Sequence, residues 1–317
     1  MLRLKTKLLG FLLITSGIAI AQHTDEINSN RPGKSFGAFS IGKKVIQAET
    51  GIYYTKEDHD LQEWQSKGFG LELVARYGAF FEQLEFIAEM QYQKDTYTAP
   101  GGFQEDRNGF RQLTVGAKYL FYDPWKNYVE KVNVYSWKAE HKFKWRKLRP
   151  AIGGYIGANF NPGDNPYTFP TDPSVSPKVM LLLQNHFGSR TVLTTNLIAD
   201  KFTTDYPSYG YILTLSHGIN QNWSVFLENQ GYKSDWYADC IFRGGAAYLI
   251  KKNMQVDASV GTSIKNTPSI FIAGAGFSWR FDKSYKPIEI KDGKEVKGDS
   301  KGKKVEEEKK KRSDEVK

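Results

Sequence analysis

The sequence has a single cysteine, Cys240, among its 317 residues. A chain with one cysteine cannot form an internal disulfide, so an exported protein with this sequence must obtain its stability from another source. Beyond residues 1–21 no long run is free of charge, and this excludes a helical membrane protein, whose spanning helices need about 20 apolar residues. The sequence contains no nucleotide-binding loop, metal-ligand cluster or nucleophile elbow, so it predicts no catalytic residue, no metal site and no cofactor.

Residues 1–21 are typical of a secretory signal that is cleaved after export. Three basic residues precede an apolar run over 8–18, and residues 19–21 (AIA) provide an A-x-A cleavage site. A transmembrane anchor is the alternative interpretation, but the run is shorter than the ~20 residues that a spanning helix needs. We therefore expect a mature chain that begins near Gln22.

The overall composition favours a membrane β-barrel. Aromatic residues make up 14% of the sequence, glycine is abundant with 29 residues, and the mean hydropathy is −0.53. A barrel needs aromatic residues at the membrane interfaces, small residues in its strands and polar side chains in its lumen. The net charge of +9 lies mostly in the signal and in the tail from residue 282, so we expect no nucleic-acid partner.

Alternation of polar and apolar residues predicts twelve strands between residues 44 and 281. In the last of them (SIFIAGAGFSWRF), Phe277, Trp279 and Phe281 share one face with no charge, and Arg280 lies on the other. The length of most segments is close to or above the ~9–11 residues that a tilted strand needs to cross a bilayer. An even number of strands is typical of an up-and-down antiparallel barrel in the outer membrane of a Gram-negative cell. The predicted strands are 44–56, 68–77, 84–93, 110–122, 148–160, 178–187, 191–202, 209–219, 223–232, 237–250, 254–264 and 269–281.

Charged residues share one face of these strands. We expect that face to line the lumen, because an Arg or Lys facing lipid at the midplane would cost ~2–4 kcal/mol. Opposite charges lie close in sequence, as in Glu72 with Arg76 and Asp239 with Arg243. This pattern fits either an open pore of mixed charge or mutual salt bridges that seal a narrow barrel. The predicted lumen-lining residues are Glu72, Arg76, Glu85, Glu89, Lys118, Asp239, Arg243, Asp257 and Arg280.

The connections between the predicted strands alternate between two kinds. Short turns on the periplasmic side and longer loops outside are the rule for such barrels, so both termini are expected in the periplasm. The short turns are 78–83, 188–190, 220–222 and 251–253, and the longer polar loops are 57–67, 95–108 and 161–177.

Three segments lie outside the strand pattern. Residues 22–43 are predicted to be a periplasmic or plug-like segment. Residues 123–147 interleave aromatic and basic side chains, which indicates either a docking surface for a partner or lipid, or a strand extension whose charges meet phosphate head groups. Residues 282–317 are rich in Lys, Glu and Gly, and we expect a disordered charged tail that is either a periplasmic tether or simply solvated.

Short motifs recur in a fixed order along the chain. They are residues 30–33 (NRPG), 49–51 (ETG), 76–78 (RYG), 84–86 (LEF), 116–119 (GAKY), 244–249 (GGAAYL), 253–261 (NMQVDASVG) and 277–281 (FSWRF). In these motifs the chain resembles the outer-membrane β-barrel family of transporters that is named after a protein of the phenol meta-cleavage degradation pathway, over nearly all of residues 30–281. The resemblance implies a barrel and a transport role and carries no catalytic residues. The 123–147 segment and the tail depart from the family's compact pattern.

Three functions are compatible with this sequence. The first is an outer-membrane channel through which small solutes diffuse passively along a charged lumen, with membrane lipids as neighbours. The second is an accessory barrel that docks a periplasmic protein partner through residues 123–147 and the tail. The third is an outer-membrane lipase, which would need a serine nucleophile and a histidine base. Ser216 and His217 are adjacent on a strand and would face opposite sides, so His186 is the other candidate base.

Overall fold

The structure is a computed structural model that describes residues 26–126, 148–163, 165–168, 172–188, 190–282, 289–291 and 294–296. The predicted signal, most of the 123–147 segment and most of the tail lie outside these residues. Among the described residues, no helix has the length and apolar character of a membrane span.

Twelve antiparallel strands form a closed barrel, in which each strand pairs with its neighbours in the chain and β1 pairs with β12. This confirms the predicted fold class. Closure matters because every strand edge then has a hydrogen-bonded neighbour, as a membrane interior requires. The strands are β1 (Ile46–His59), β2 (Trp64–Gly78), β3 (Leu84–Thr98), β4 (Gln104–Tyr122), β5 (Ala151–Phe160), β6 (Val175–Phe187), β7 (Thr191–Asp200), β8 (Ser208–Gly218), β9 (Trp223–Lys233), β10 (Ala238–Lys251), β11 (Met254–Ser263) and β12 (Ser269–Phe281).

The two faces of the barrel wall differ sharply in polarity. On β2, Phe69 is 69% exposed on the outer face, whereas Arg76 is completely buried on the inner face. On β12, Trp279 and Phe281 are exposed outside and Arg280 is buried inside. Apolar side chains outside and charged side chains inside are the arrangement that a barrel surrounded by lipid needs.

Strands β1 to β4 are longer than the sequence predicts. We call the end of the barrel where β1 begins and β12 ends the lower end, and the opposite end the upper end. At the upper end β1–β2 and β3–β4 continue as paired strands through most of the predicted loops 57–67 and 95–108, so these loop predictions were wrong. The added residues at the upper end are mostly polar, among them Lys67, Asp95 and Arg107, and they lack the apolar alternation that predicts a spanning strand.

Residues 26–41, which we call the plug, run inside the barrel. The plug enters at the lower end, where Ile27 N donates to Lys252 O (2.8 Å), and Arg31 reaches the level of Gly51 in the middle of β1. The chain then returns to the lower end and leads into β1. There Gly42 O lies so close to Gly78 that any side chain at position 78 would overlap it.

An apolar cluster lies between the plug and the wall. Phe36 and Ala38 of the plug are buried, and the Phe36 ring packs edge-on against Tyr155 with 5.5 Å between centroids. The wall contributes Ile87, Leu120, Ala151, Met180 and Leu182. The plug therefore packs partly like the core of a soluble protein.

Outside the barrel unit, which ends at Asp282, residues Lys283–Lys317 form a second unit. Within it, β13 (Glu289–Lys291) and β14 (Lys294–Val296) form a two-stranded antiparallel sheet.

Candidate functional site: the plugged lumen

A cluster of buried charges lies on the inner wall of β1 to β4. Arg76 Nε is 2.5 Å from Glu85 Oε1, and Arg76 Nη1 is 3.0 Å from Glu49 Oε1. Lys118 Nζ is 3.1 Å from Glu85 Oε2, and all four side chains are fully buried. A charge removed from water needs such partners, since an unpaired one would cost several kcal/mol.

This charged cluster also binds the backbone of the plug. Arg76 Nη1 donates to Asn28 O (2.6 Å), and Lys118 Nζ donates to Gly37 O (3.1 Å) and Phe39 O (2.9 Å). In return, Glu85 Oε2 accepts a hydrogen bond from Ile41 N (3.1 Å). No described strand pairs with the plug, so wall side chains satisfy its buried backbone groups.

Two amide side chains hold the returning half of the plug. Phe36 N donates to Asn196 Oδ1 (2.7 Å), and Asn196 Nδ2 donates back to Phe36 O (2.9 Å). Ala38 N donates to Gln184 Oε1 (2.9 Å). Because an amide offers both a donor and an acceptor, Asn196 pairs with Phe36 much as another strand would.

The tip of the plug lies in a groove that four neighbouring strands form. Pairing places Glu72, Gly51, Gly276 and Asp257 side by side at one level, in the order β2, β1, β12 and β11. The two glycines leave a gap in the inner wall, and the Arg31 guanidinium fills it so closely that a methyl group on either glycine would overlap it. A carboxylate stands at each end of this gap.

Both carboxylates bind Arg31. Its Nη1 is 2.6 Å from Glu72 Oε2, while its Nη2 and Nε donate to the two oxygens of Asp257 at 3.2 and 3.3 Å. Lys34 Nζ forms a further ion pair with Glu72. Burial alone would lower the pKa of Arg31, but Asp257 and Glu72 outweigh it and raise the pKa above its ordinary value. The plug tip is thus held by a permanent charge.

We expect Gly276→Ala to loosen the plug tip without harming the barrel. The new methyl group would meet only the far end of the Arg31 side chain, so the guanidinium would move while the strands keep their places. Hydrogen exchange of the plug amides should become faster at residues 29–34. In the control Gly244→Ala, the nearest atom is 3.7 Å from the new carbon, and protection of the plug should not change. Equal hydrogen-exchange rates of the plug amides in both variants would contradict the packing of Arg31 in the groove.

The plug tip makes a second attachment to the wall at β9. Glu228 Oε2 accepts hydrogen bonds from Lys34 N and Thr214 Oγ1, both at 2.8 Å, and Glu228 Oε1 pairs with Arg243. A Cβ at Gly33 would lie 2.6 Å from Glu228 Oε2. Glycine at position 33 therefore lets the carboxylate reach the plug backbone.

Within the described part of the chain, three cavities lie one above another in the lumen. The upper cavity (360 Å³) is bordered by Tyr167 and Lys201, and the middle one (280 Å³) lies over the plug tip at Arg31. The lower cavity (220 Å³) separates the plug from the wall around Ser216 and Ser224. The lumen therefore keeps space at all three levels although the plug occupies much of it.

The structure gives each predicted lumen-lining residue a partner. Glu72 and Asp257 bind Arg31, and Arg76, Glu85 and Lys118 come together in one cluster. Glu89 accepts a hydrogen bond from Gln112 (3.2 Å), Asp239 accepts one from the Tyr237 hydroxyl (2.5 Å), Arg243 pairs with Glu228, and Arg280 Nη1 donates to Glu26 O (2.8 Å).

The partners differ from those that closeness in sequence suggests. Glu72 pairs with the plug rather than with Arg76, and Arg243 pairs with Glu228 rather than with Asp239. Residues four apart on a strand are about 13 Å apart, whereas neighbours across strands are only about 5 Å apart. Inward charges therefore pair across the sheet or with the plug.

Four charged partners of the predicted residues are absent from the sequence prediction: Glu49, Glu228, Arg31 and Lys34. Glu49 and Glu228 stand on inner faces that the alternation of β1 and β9 could have revealed, since Leu227 lies on the outer face next to Glu228. Arg31 and Lys34 carry no such signal, because the plug has no periodicity and its partners depend on strand register.

The residues considered for a lipase do not assemble. Ser216 lines the lower cavity, while His217 is exposed on the outer face, where its Nδ1 lies 2.9 Å from Thr191 Oγ1. His186 faces inward and packs against Phe39, with 5.9 Å between ring centroids. Among the described residues, no group of His, Cys, Asp and Glu is placed to hold a metal ion.

The family model described as "Putative MetA-pathway of phenol degradation" matches residues 29–281. The chain belongs to this family. The match confirms the resemblance seen in the sequence motifs. In this family member, the matched residues cover the barrel and nearly all of the plug. No curated protein matches the sequence.

Solved structures similar to this family member are outer-membrane barrels. An outer membrane channel from Pseudomonas putida F1 has a TM-score of 0.50 and 12% identity, and the match covers 81% of this chain and 100% of that one. The KdgM porin follows with a TM-score of 0.43 and 11% identity over 73% and 99% of the two chains. At such identities the likeness concerns the fold alone.

Proposed function

We propose that this protein is an outer-membrane channel through which small polar solutes diffuse passively along a charged lumen that the plug narrows. The observation that carries the proposal is the column of three cavities inside a closed barrel. The similar structure from Pseudomonas putida F1 is described as an outer membrane channel, which supports the same role here.

The size and chemistry of the cavities support small polar solutes. Volumes of 220 to 360 Å³ lie at or below the lower end of the range for sites that hold drug-sized molecules, which is roughly 300–1,000 Å³. The middle cavity is bordered by charged side chains such as Lys34, Glu89 and Arg111, together with Tyr53 and Tyr232. Solutes about the size of a monosaccharide or an amino acid match this space.

Liposome swelling tests the proposal directly. The mature chain, reconstituted in liposomes, should let amino acids and monosaccharides enter, and entry should slow steeply for di- and trisaccharides. Protein-free liposomes are the baseline, and a mobility difference between boiled and unboiled samples in a gel verifies that the barrel is folded. Folded protein that gives swelling no faster than the baseline would refute a channel.

The accessory barrel that docks a protein partner stays a prediction from the sequence. It relies on the basic and aromatic segment 123–147 and on the tail, most of which lie outside the described residues.

A further inference from the structure

The plug is attached unevenly around the lumen. On the side of β11, β12 and β1 to β4, Arg31 of the plug forms ion pairs with the wall, and Lys118 of the wall donates to the plug backbone. Towards β7 to β10, the lower wall carries short neutral side chains, among them Thr194, Ser216 and Ser224, and the lower cavity separates them from the plug. One side of the plug is thus fastened by ion pairs, whereas on the other side hydrogen bonds of Asn196 and Glu228 hold it and the lower cavity lies between these two attachments and the lower end.

All three cavities border the inner face of β9. Along the inner face of β9, Ser224 and Phe226 border the lower cavity, whereas Gln230 and Tyr232 border both the middle and the upper cavities. Glu228 is the inward residue between these two pairs. On β8, Thr214 occupies the same level and donates to Glu228.

Glu228 therefore stands at the junction of the lower and middle cavities. Its carboxylate reaches from the wall to Lys34 N on the plug, and Arg243 neutralises its charge. Rotation of this one side chain would break the bridge to the plug. Such a rotation leaves the ion pairs of Arg31 and the buried cluster around Arg76 in place.

We propose that solutes pass the docked plug along the wall of β7 to β10, and that Glu228 is the gate on this route. The proposal rests on the channel function proposed above. It adds that conduction does not require the plug to leave the barrel, and it names the residue that limits passage.

Two matched serine substitutions test the route, both in a Cys240→Ser background that removes the native thiol. Ser216→Cys places a thiol in the lower cavity, and Ser278→Cys places one beneath the plug, where Ser278 Oγ lies 2.8 Å from Ser29 Oγ. A small charged methanethiosulfonate is added to each variant in a planar bilayer, and the current is compared with that of the same channel before addition. The thiol displaces methanesulfinate and keeps the charged group as a mixed disulfide.

The proposal expects the current to fall in Ser216→Cys and to stay constant in Ser278→Cys. An equal fall in both variants would mean that the plug leaves as a unit, which overturns the route. A conducting channel whose current falls in neither variant would overturn it as well. Absence of current from the folded parent would instead refute the channel itself, so the two proposals fail in different ways.

Glu228→Gln tests the gate. The neutral amide weakens the links to Lys34 N and Arg243, so the thiol of Ser216→Cys should be modified several-fold faster, while that of Ser278→Cys stays protected. Glu105→Gln on the exposed upper part of β4 is the matched control and should change neither rate. An unchanged rate at position 216 would overturn the gate, and faster modification at both positions would assign the effect to release of the plug.

Discussion

Deletion of residues 26–41 is expected to raise the single-channel conductance several-fold. The plug occupies the lower half of the lumen, and a twelve-stranded barrel lies between eight-stranded barrels that side chains fill and sixteen-stranded barrels with an aqueous channel. Without the plug, water can enter the lower half, and the wall charges that held the plug become hydrated. Conductance steps in planar bilayers at fixed salt measure the change.

The deletion should also shift ion selectivity towards cations. It removes Arg31 and Lys34, so Glu72 and Asp257 lose their ion-pair partners at the level of the plug tip. The reversal potential in a salt gradient reports this shift. A second variant, Arg31→Gln with Lys34→Gln, frees only the plug tip. It should also shift ion selectivity towards cations, with a smaller rise in conductance than the deletion gives. Conductance and reversal potential equal to those of the full chain in both variants would show that the plug does not limit ion flow.

Glu85→Ala is expected to destabilise the barrel by about 3–5 kcal/mol, which is the cost of removing one partner of a buried ion pair. The substitution leaves Arg76 and Lys118, both fully buried, without their shared carboxylate. It also removes the acceptor for Ile41 N, so the plug should loosen at its returning end. Guanidinium unfolding of the protein in lipid vesicles gives the free energy of unfolding.

The matched control for this measurement is Glu105→Ala. Glu105 is exposed on the upper part of β4, and a surface substitution of this kind usually changes stability by no more than about 0.5 kcal/mol. If the two variants unfolded at the same guanidinium concentration, the buried cluster would not be a major source of stability.

The barrel could be predicted from sequence because a membrane imposes a period of two on each spanning strand. For β12 the predicted and observed bounds coincide, since alternation begins and ends with the strand. The polar upper parts of β1 to β4 lack this alternation, so the sequence predicts loops where the structure has paired strands.

The candidate site was less accessible to sequence reasoning. The alternation of β2 puts Glu72 and Arg76 on one face, but it does not tell which cation Glu72 meets. That cation, Arg31, is supplied by a segment without periodicity. The groove it occupies needs Gly51 and Gly276 at one level, and this depends on the register between the first and the last strand.

The position of the Arg31 groove has a consequence for the order of assembly. Gly51 and Gly276 belong to β1 and β12, so the groove straddles the seam where the two ends of the sheet meet. Before these strands pair, Glu72 and Asp257 cannot face each other across it, and Asp257 lies 226 residues further along the chain than Arg31. The segment that is synthesised before the strands would therefore be the last to find its place, and its docking would mark a barrel that has completed closure.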